Sequence, residues 1–227
     1  MAQAAALRVV ALAFAAPRPG RAAEMRAALF RLGIDRLDPA VQRVVSVARR
    51  AWLGASQGVL ADEYLRLFMG RAPVSLHETA YGDGRRVNGR PVELADIGGY
   101  YAAFGIQLKD ASPDLPDHVS AECEFLSMML LKEAYALDNG WTAEWRLTRR
   151  AAAGFLHDHL GRWPHCLLPG LREEGAPDSY LTMARLLEIL VAAECRRLGV
   201  RPELTDTRMP FDPVQEDEFT CPRAVEG

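Results

Sequence analysis

Apolar residues recur in this 227-residue chain at spacings of three and four nearly throughout, and alternate at spacings of two almost nowhere. A helix gathers positions i, i+3, i+4 and i+7 onto one face, whereas a half-buried strand needs alternation, so the pattern commits the chain to helices. Leu7, Val10 and Phe14 form a first stripe, and Met25, Leu29 and Leu32 a second that Gly33 can stop. Val41, Val44, Val45, Ala48 and Trp52 follow, entered through Asp38-Pro39, where Asp38 can cap and Pro39 can occupy the first turn. Leu60, Tyr64, Leu67 and Phe68 come before Gly70, and Leu94, Ile97, Tyr101 and Phe104 before Gly105. Val119, Cys123, Leu126, Leu130, Ala134 and Leu137 line a long helix that is apolar around most of its circumference near Phe125–Leu131, which predicts a central position. Trp141 to Leu160 reads as one further helix ended by Gly161, and Tyr180 to Leu198 as the last, opened by Asp178 or Ser179 and closed by Gly199. The expectation is an all-α, single-domain bundle of about eight helices over residues 1–201, with a long loop near 70–91 and an irregular tail over 202–227.

Composition narrows the function classes. A formal charge of −3 offers no whole-molecule attraction to nucleic acid or anionic lipid, and no apolar run is long enough to span a bilayer. The apolar stretch Ala4–Ala16 lacks a preceding positive charge and is broken by Arg8, so it reads as a helix rather than a signal peptide, and a cytoplasmic location follows. Cys123, Cys166, Cys195 and Cys221 form no C-x-x-C pair and read as reduced cysteines.

The sharpest local pattern is the turn Pro116-Asp117-His118 at the start of the long helix. Asp beside His can act as a general-base unit, can bind a cation, or can simply cap the helix. No nucleophile accompanies it, since Ser120 lacks the glycine-flanked elbow that exposes a catalytic serine. Glu122 and Glu124 point about 200° apart on a helix, so one should face solvent or a cationic ligand and the other should tie down a neighbour. His157 and His159 diverge at i, i+2, a poor zinc spacing, and His159 on the apolar face reads as a hydrogen-bonded core histidine. Gly82-Asp83-Gly84 and Gly98-Gly99 follow no strand and precede no Lys-Ser/Thr, so neither is a phosphate loop; Arg85-Arg86 reads as a solvated turn.

Taken in order and spacing, Tyr101, Phe104-Gly105-Ile106, Pro116-Asp117-His118 and Glu122-x-Glu124-Phe125 resemble the signature of the TorD/DmsD/NarJ family of molybdoenzyme maturation chaperones. Glu63-Tyr64-x-Arg66-Leu67-Phe68-x-Gly70, Pro73 with Glu78-Thr79-Ala80-Tyr81, and Phe155 to Pro164 extend the resemblance over roughly residues 5 to 200. Leu115 and His77 depart from it, replacing an acidic residue and an aromatic one. The loop and tail look most like accessory proteins of the type II branch of the dimethyl sulfoxide reductase family.

The resemblance implies a cytoplasmic chaperone, not an enzyme. It would bind the twin-arginine leader, or a similar N-terminal segment, of a molybdopterin-containing catalytic subunit and hold it for cofactor insertion and assembly before export. Asp117 would accept a guanidinium in a salt-sensitive contact. His118, Pro116, Tyr101, Phe104, Glu124, Phe68, Tyr81 and His77 would complete a peptide-binding surface. No cofactor, metal or nucleic acid is expected, and contact with a molybdenum cofactor or guanine nucleotide is not predicted. The protein would be a monomer or a helix-exchanged dimer. The competing readings are a metal-dependent hydrolase using Asp117 and His118, and a permanent helical scaffold subunit of the enzyme complex.

Overall fold

A computed structural model describes residues 1–82, 89–107 and 115–205. Among the described residues the chain is all-α, with no strand beyond one isolated bridge between His77 and His118. The helices are α1 (Ala2–Phe14), α2 (Arg21–Arg31), α3 (Pro39–Gly54), α4 (Gln57–Phe68), α5 (Gly89–Ala103), α6 (Val119–Asp138), α7 (Thr142–Phe155), α8 (Leu167–Glu173) and α9 (Asp178–Leu198). The periodicity predicts eight, and α8 is the addition: Pro169 and Gly170 in Leu-Leu-Pro-Gly-Leu argue against a helix there. Proline is tolerated because it lies in the first turn, where backbone N–H groups have no intrahelical acceptor to lose.

The core is built around α1. Instead of one buried face, it buries nearly its whole circumference, leaving only a narrow stripe with Ala5 and Arg8 at the surface. Small side chains let α6 approach it closely: Ser120 Oγ donates to the Ala11 carbonyl and Ser127 Oγ to the Ala4 carbonyl, both at 2.8 Å. These bonds also satisfy two buried hydroxyls that would otherwise cost about 1–3 kcal/mol each.

The outer end of α6 departs from expectation. Leu137 is exposed, and Glu133 takes the buried position, gripped by Arg149 of α7 and Arg197 of α9. Two arginines fasten α2 and α3 reciprocally. Arg49 donates to the carbonyls of Leu29, Phe30 and Leu32 at the end of α2, and Arg26 to those of Trp52 and Ala55 at the end of α3. Each cation thereby neutralises a helix C-terminus.

Capping follows the sequence in part. Asp38 accepts from Ala40 N at 2.8 Å with Pro39 in the first turn, as expected. The last helix starts at Asp178 without a side-chain cap, and Gly199 ends it in the left-handed conformation. The helix expected to run from Trp141 to Leu160 instead leaves α-geometry at Phe155 and continues as a π-helical turn, Leu156–Leu160. Gly161 closes that turn because a Cβ there would lie 2.0 Å from the Leu156 carbonyl oxygen. Its role is close approach rather than a left-handed stop. Cys123, Cys166 and Cys195 are buried and unbridged, while Asp83–Arg86, Cys221 and the tail beyond Thr205 lie outside the described residues.

Candidate functional site

Chemistry-bearing side chains converge where the segment after α4 meets the turn before α6. The two stretches pair as a short bridge: Glu78 N donates to the Asp117 carbonyl at 2.9 Å, and Val119 N to the Leu76 carbonyl at 2.8 Å. Asp117 fixes the junction with its side chain, which has no exposed area. Its oxygens accept from Thr79 Oγ1 at 2.6 Å, Thr79 N at 3.3 Å and His77 Nδ1 at 3.0 Å. Burial raises the pKa of this carboxyl, but the bonds from His77 and Thr79 outweigh burial and leave it below the ordinary aspartate range.

This corrects the expected mode of binding. Asp117 is sealed and its acceptors are filled by the chain's own loop, so no incoming guanidinium reaches it in this conformation. Nor does it cap α6. His118 does that, its Nδ1 accepting from Ser120 N at 3.2 Å. With both residues buried and committed to structure, Asp117 and His118 offer no surface for a hydrolytic step.

A second layer lies beneath. Glu78 and Asp96 flank the His159 ring: Nδ1 lies 3.2 Å from Glu78 Oε2, and Nε2 lies 3.2 Å from Asp96 Oδ2. Burial lowers the His159 pKa, yet the two carboxylates overcome this and raise it above the ordinary histidine value. His157 and His159, two positions apart, diverge as helical spacing requires. His157 faces solvent and pairs with Asp158 at 2.7 Å, while His159 turns inward. Glu122, fully buried, accepts from Trp163 Nε1 at 3.1 Å. Burial and the nearby Glu78 charge push its pKa well up, which favours the neutral acid. Glu124, by contrast, faces solvent, which is the division of labour expected from their helical spacing.

The remaining expected residues divide the same way. Tyr101 is buried, its hydroxyl donating to the Pro116 carbonyl at 2.8 Å. Tyr81 stacks on Trp163 with ring centroids 5.4 Å apart and donates to the Ser75 carbonyl. Phe104 packs edge-on against Phe125, half-buried. Phe68 sits elsewhere, in an aromatic cluster with Phe14, Tyr64 and Tyr180. Of the expected residues, His77, Pro116, Phe104 and Glu124 keep exposed area, as does Leu115 at the turn.

Beside this junction runs a cleft of about 690 Å³ between α5 and the π-helical turn. Val92, Glu93, Asp96, Asp158, Arg162 and Glu203 are among its walls, with His159 at its floor. Sequence reasoning missed it because its acids come from three separate segments.

Residues 34–167, more than half of the chain, match the family model described as nitrate reductase delta subunit. The chain belongs to that family. It is 37% identical over 145 residues to the selenate reductase assembly chaperone protein of Thauera selenatis, covering 62% of this chain and 70% of that one. It is 34% identical over 149 residues to the chlorate reductase assembly chaperone protein of Ideonella dechloratans, covering 63% and 72%. These relatives are named for assembly and not for a catalytic step, in keeping with the expectation of a non-enzyme. The fold is similar to that of a solved structure described as a redox enzyme maturation protein from Archaeoglobus fulgidus, at 17% identity, a TM-score of 0.52, and coverage of 83% of this chain and 93% of that one.

Proposed function

We propose that this protein is an assembly chaperone that binds the N-terminal segment of a molybdopterin-containing catalytic subunit in the cytoplasm and holds it for cofactor insertion. The observation that carries the reading is the 37% and 34% identity to two assembly chaperones over 145 and 149 residues, together with a family match over residues 34–167 that contains the junction. The buried junction supports it physically. Asp117 and Thr79 tie the loop to the start of α6, which His118 caps, and His77, Pro116 and Leu115 at this shelf keep exposed area, with Phe104 and Glu124 also partly or fully exposed. Apolar side chains beside a carboxylate suit an amphipathic peptide, and no resident cofactor or metal is needed for gripping one. The reading extends to the dimethyl sulfoxide reductase family as clients and to a leader carrying paired arginines.

Affinity capture of the tagged chain from native cytoplasm tests this. The expected prey is a catalytic subunit still lacking its cofactor, and the expected loss on removing that subunit's N-terminal segment is complete. Recovery of no molybdoenzyme subunit, or of one whose binding ignores the segment, would overturn the reading. The family description as a subunit favours a second reading, a permanent place in the enzyme. Capture with the mature, cofactor-loaded complex would select it.

A further inference from the structure

We propose that the arginine-rich seam between α2 and α3 docks on an anionic lipid membrane, with Phe30 and Leu53 entering the headgroup layer and Arg31, Arg43 and Arg50 meeting its phosphates. The inference goes beyond client binding and does not depend on it.

Charge marks this face. Residues 18–55 hold eight arginines against Glu24, Asp35 and Asp38, a local net of +5 within a chain of −3. Two of the acids are already engaged: Glu24 pairs with Arg18 at 2.7 Å and lies 3.6 Å from Arg21, and Asp38 caps α3. That leaves Asp35, in the 3₁₀ turn Ile34–Arg36. Arg26 and Arg49 are engaged too, on helix-end carbonyls across the seam. Arg31, Arg36, Arg43 and Arg50 are exposed, and among the described residues none of their side chains has an ion-pair or hydrogen-bond partner.

Helical register sets these cations around apolar side chains. Val41, Val45, Ala48 and Trp52 turn one side of α3 to the core, so Arg43 and Arg50, about half a turn away, form its outermost stripe. Leu53 stands between that stripe and Arg49, whose guanidinium reaches the end of α2. Phe30 follows Arg26 by four positions and shares the flank that Arg26 turns toward α3. Arg49 at the Phe30 carbonyl and Arg26 at the Trp52 carbonyl fix the two helices antiparallel, which brings Phe30 and Leu53 to one seam. Phe30 is 82% exposed and Leu53 64%, with Val47 at 41% beyond the arginine stripe.

This combination selects the occupant. A membrane interface takes up projecting apolar side chains without a shaped pocket, while its phosphates accept paired guanidinium bonds. Anionic headgroups also supply the attraction that concentrates a basic face at the surface. Nucleic acid would use the arginines and stack on a ring, but would leave Leu53 and Val47 in water. A second copy would bring like charges together across a two-fold axis.

Flotation of the full chain with vesicles tests this, comparing mixed phosphatidylcholine–phosphatidylglycerol vesicles with phosphatidylcholine alone. The chain should float with the mixed vesicles at low salt, stay behind with the neutral ones, and be released as salt rises. The combined variant Arg31→Gln, Arg43→Gln, Arg50→Gln should bind roughly a hundredfold more weakly, at about fivefold per charge. All three side chains are exposed, so its thermal melt should match the wild type and a folding artefact is separable. Phe30→Trp reads insertion directly: its emission, as a difference from wild type, should shift to the blue with mixed vesicles alone. Absence of flotation, equal flotation with neutral vesicles, an unweakened triple variant or an unshifted Phe30→Trp emission would each overturn the proposal. So would arginine-dependent binding to poly(U) RNA tighter than to vesicles, or arginine-dependent self-association in sedimentation. Photo-crosslinking from position 30 into residues 206–227, which carry six acids against two arginines, would overturn it in favour of the chain's own end. Client capture is a separate readout, and its failure leaves this result standing.

Discussion

The aromatic cluster around Phe14 and the polar junction around Asp117 are both buried within one core, and they hold the chain by opposite means. Phe14, Tyr64, Phe68 and Tyr180 meet ring to ring, with Tyr180 Oη bonded to the Leu60 carbonyl and Tyr64 Oη to that of Phe14. Apart from those two hydroxyl bonds, the cluster is held chiefly by burial of ring area, which scales with the area removed from water. The junction instead has Asp117, Thr79, Glu78, His159 and Glu122, each useful only while its partner stays in place. Burying charge is weak evidence for stability and better evidence that one conformation is specified. The cluster should govern whether the protein folds, and the junction how its shelf is shaped.

The largest effect that can break this contrast is at Phe14. Phe14→Ala empties a fully buried site and should cost about 3–5 kcal/mol in denaturant unfolding. Phe14→Leu should cost far less, because area survives. If it costs as much, the cluster is directional after all. Asp117→Ala comes next, at about 1.5–3 kcal/mol for loss of hydrogen bonds to a charged acceptor. Its distinguishing mark is local: hydrogen exchange should accelerate at the Glu78, Thr79 and Val119 amides more than elsewhere, whereas Phe14→Ala should accelerate exchange globally. A uniform response in Asp117→Ala would erase the distinction.

Glu122→Gln should have a smaller effect, and of opposite sign. The native pKa of Glu122 is raised, so the unfolded chain releases its proton near pH 4.5 while the fold retains it, and stability falls as pH rises above that value. Glutamine keeps an acceptor for Trp163 without that penalty. The variant should be more stable at pH 7 and indistinguishable at pH 4, with thermal melts at both pH values as the readout. Asp117 carries the reverse dependence: its depressed pKa stabilises the fold above pH 3.8, and that contribution is lost as pH falls through the lower native value. Glu124→Gln should be smallest, within about 0.5 kcal/mol of wild-type stability because the residue is exposed. A larger loss would mean that Glu124 is held by a neighbour rather than exposed.

Helix existence was legible because periodicity is local, and so were the Asp38-Pro39 start and the opposed directions of Glu122 and Glu124. His159 was readable as a bonded core histidine. Its partner was not, because Glu78 lies 81 positions away and nothing in composition pairs them. Asp117 illustrates the limit of a motif. An acid at a turn looks the same whether it awaits a ligand or already holds its own loop, and only the fold brings Thr79 and His77 to it. The π-helical turn was invisible for a similar reason, since its apolar spacing passes for ordinary helix until the close packing at Gly161 is seen.

The serine bolts between α6 and α1 carry a consequence for synthesis. Their acceptors precede the serines by 109 and 123 positions, so the greasy opening helix leaves the ribosome long before the surface that covers it exists. Closure of this molecule is therefore a late event that joins α1 to α6 across more than a hundred residues of chain, and until then the apolar surface of α1 lacks that cover.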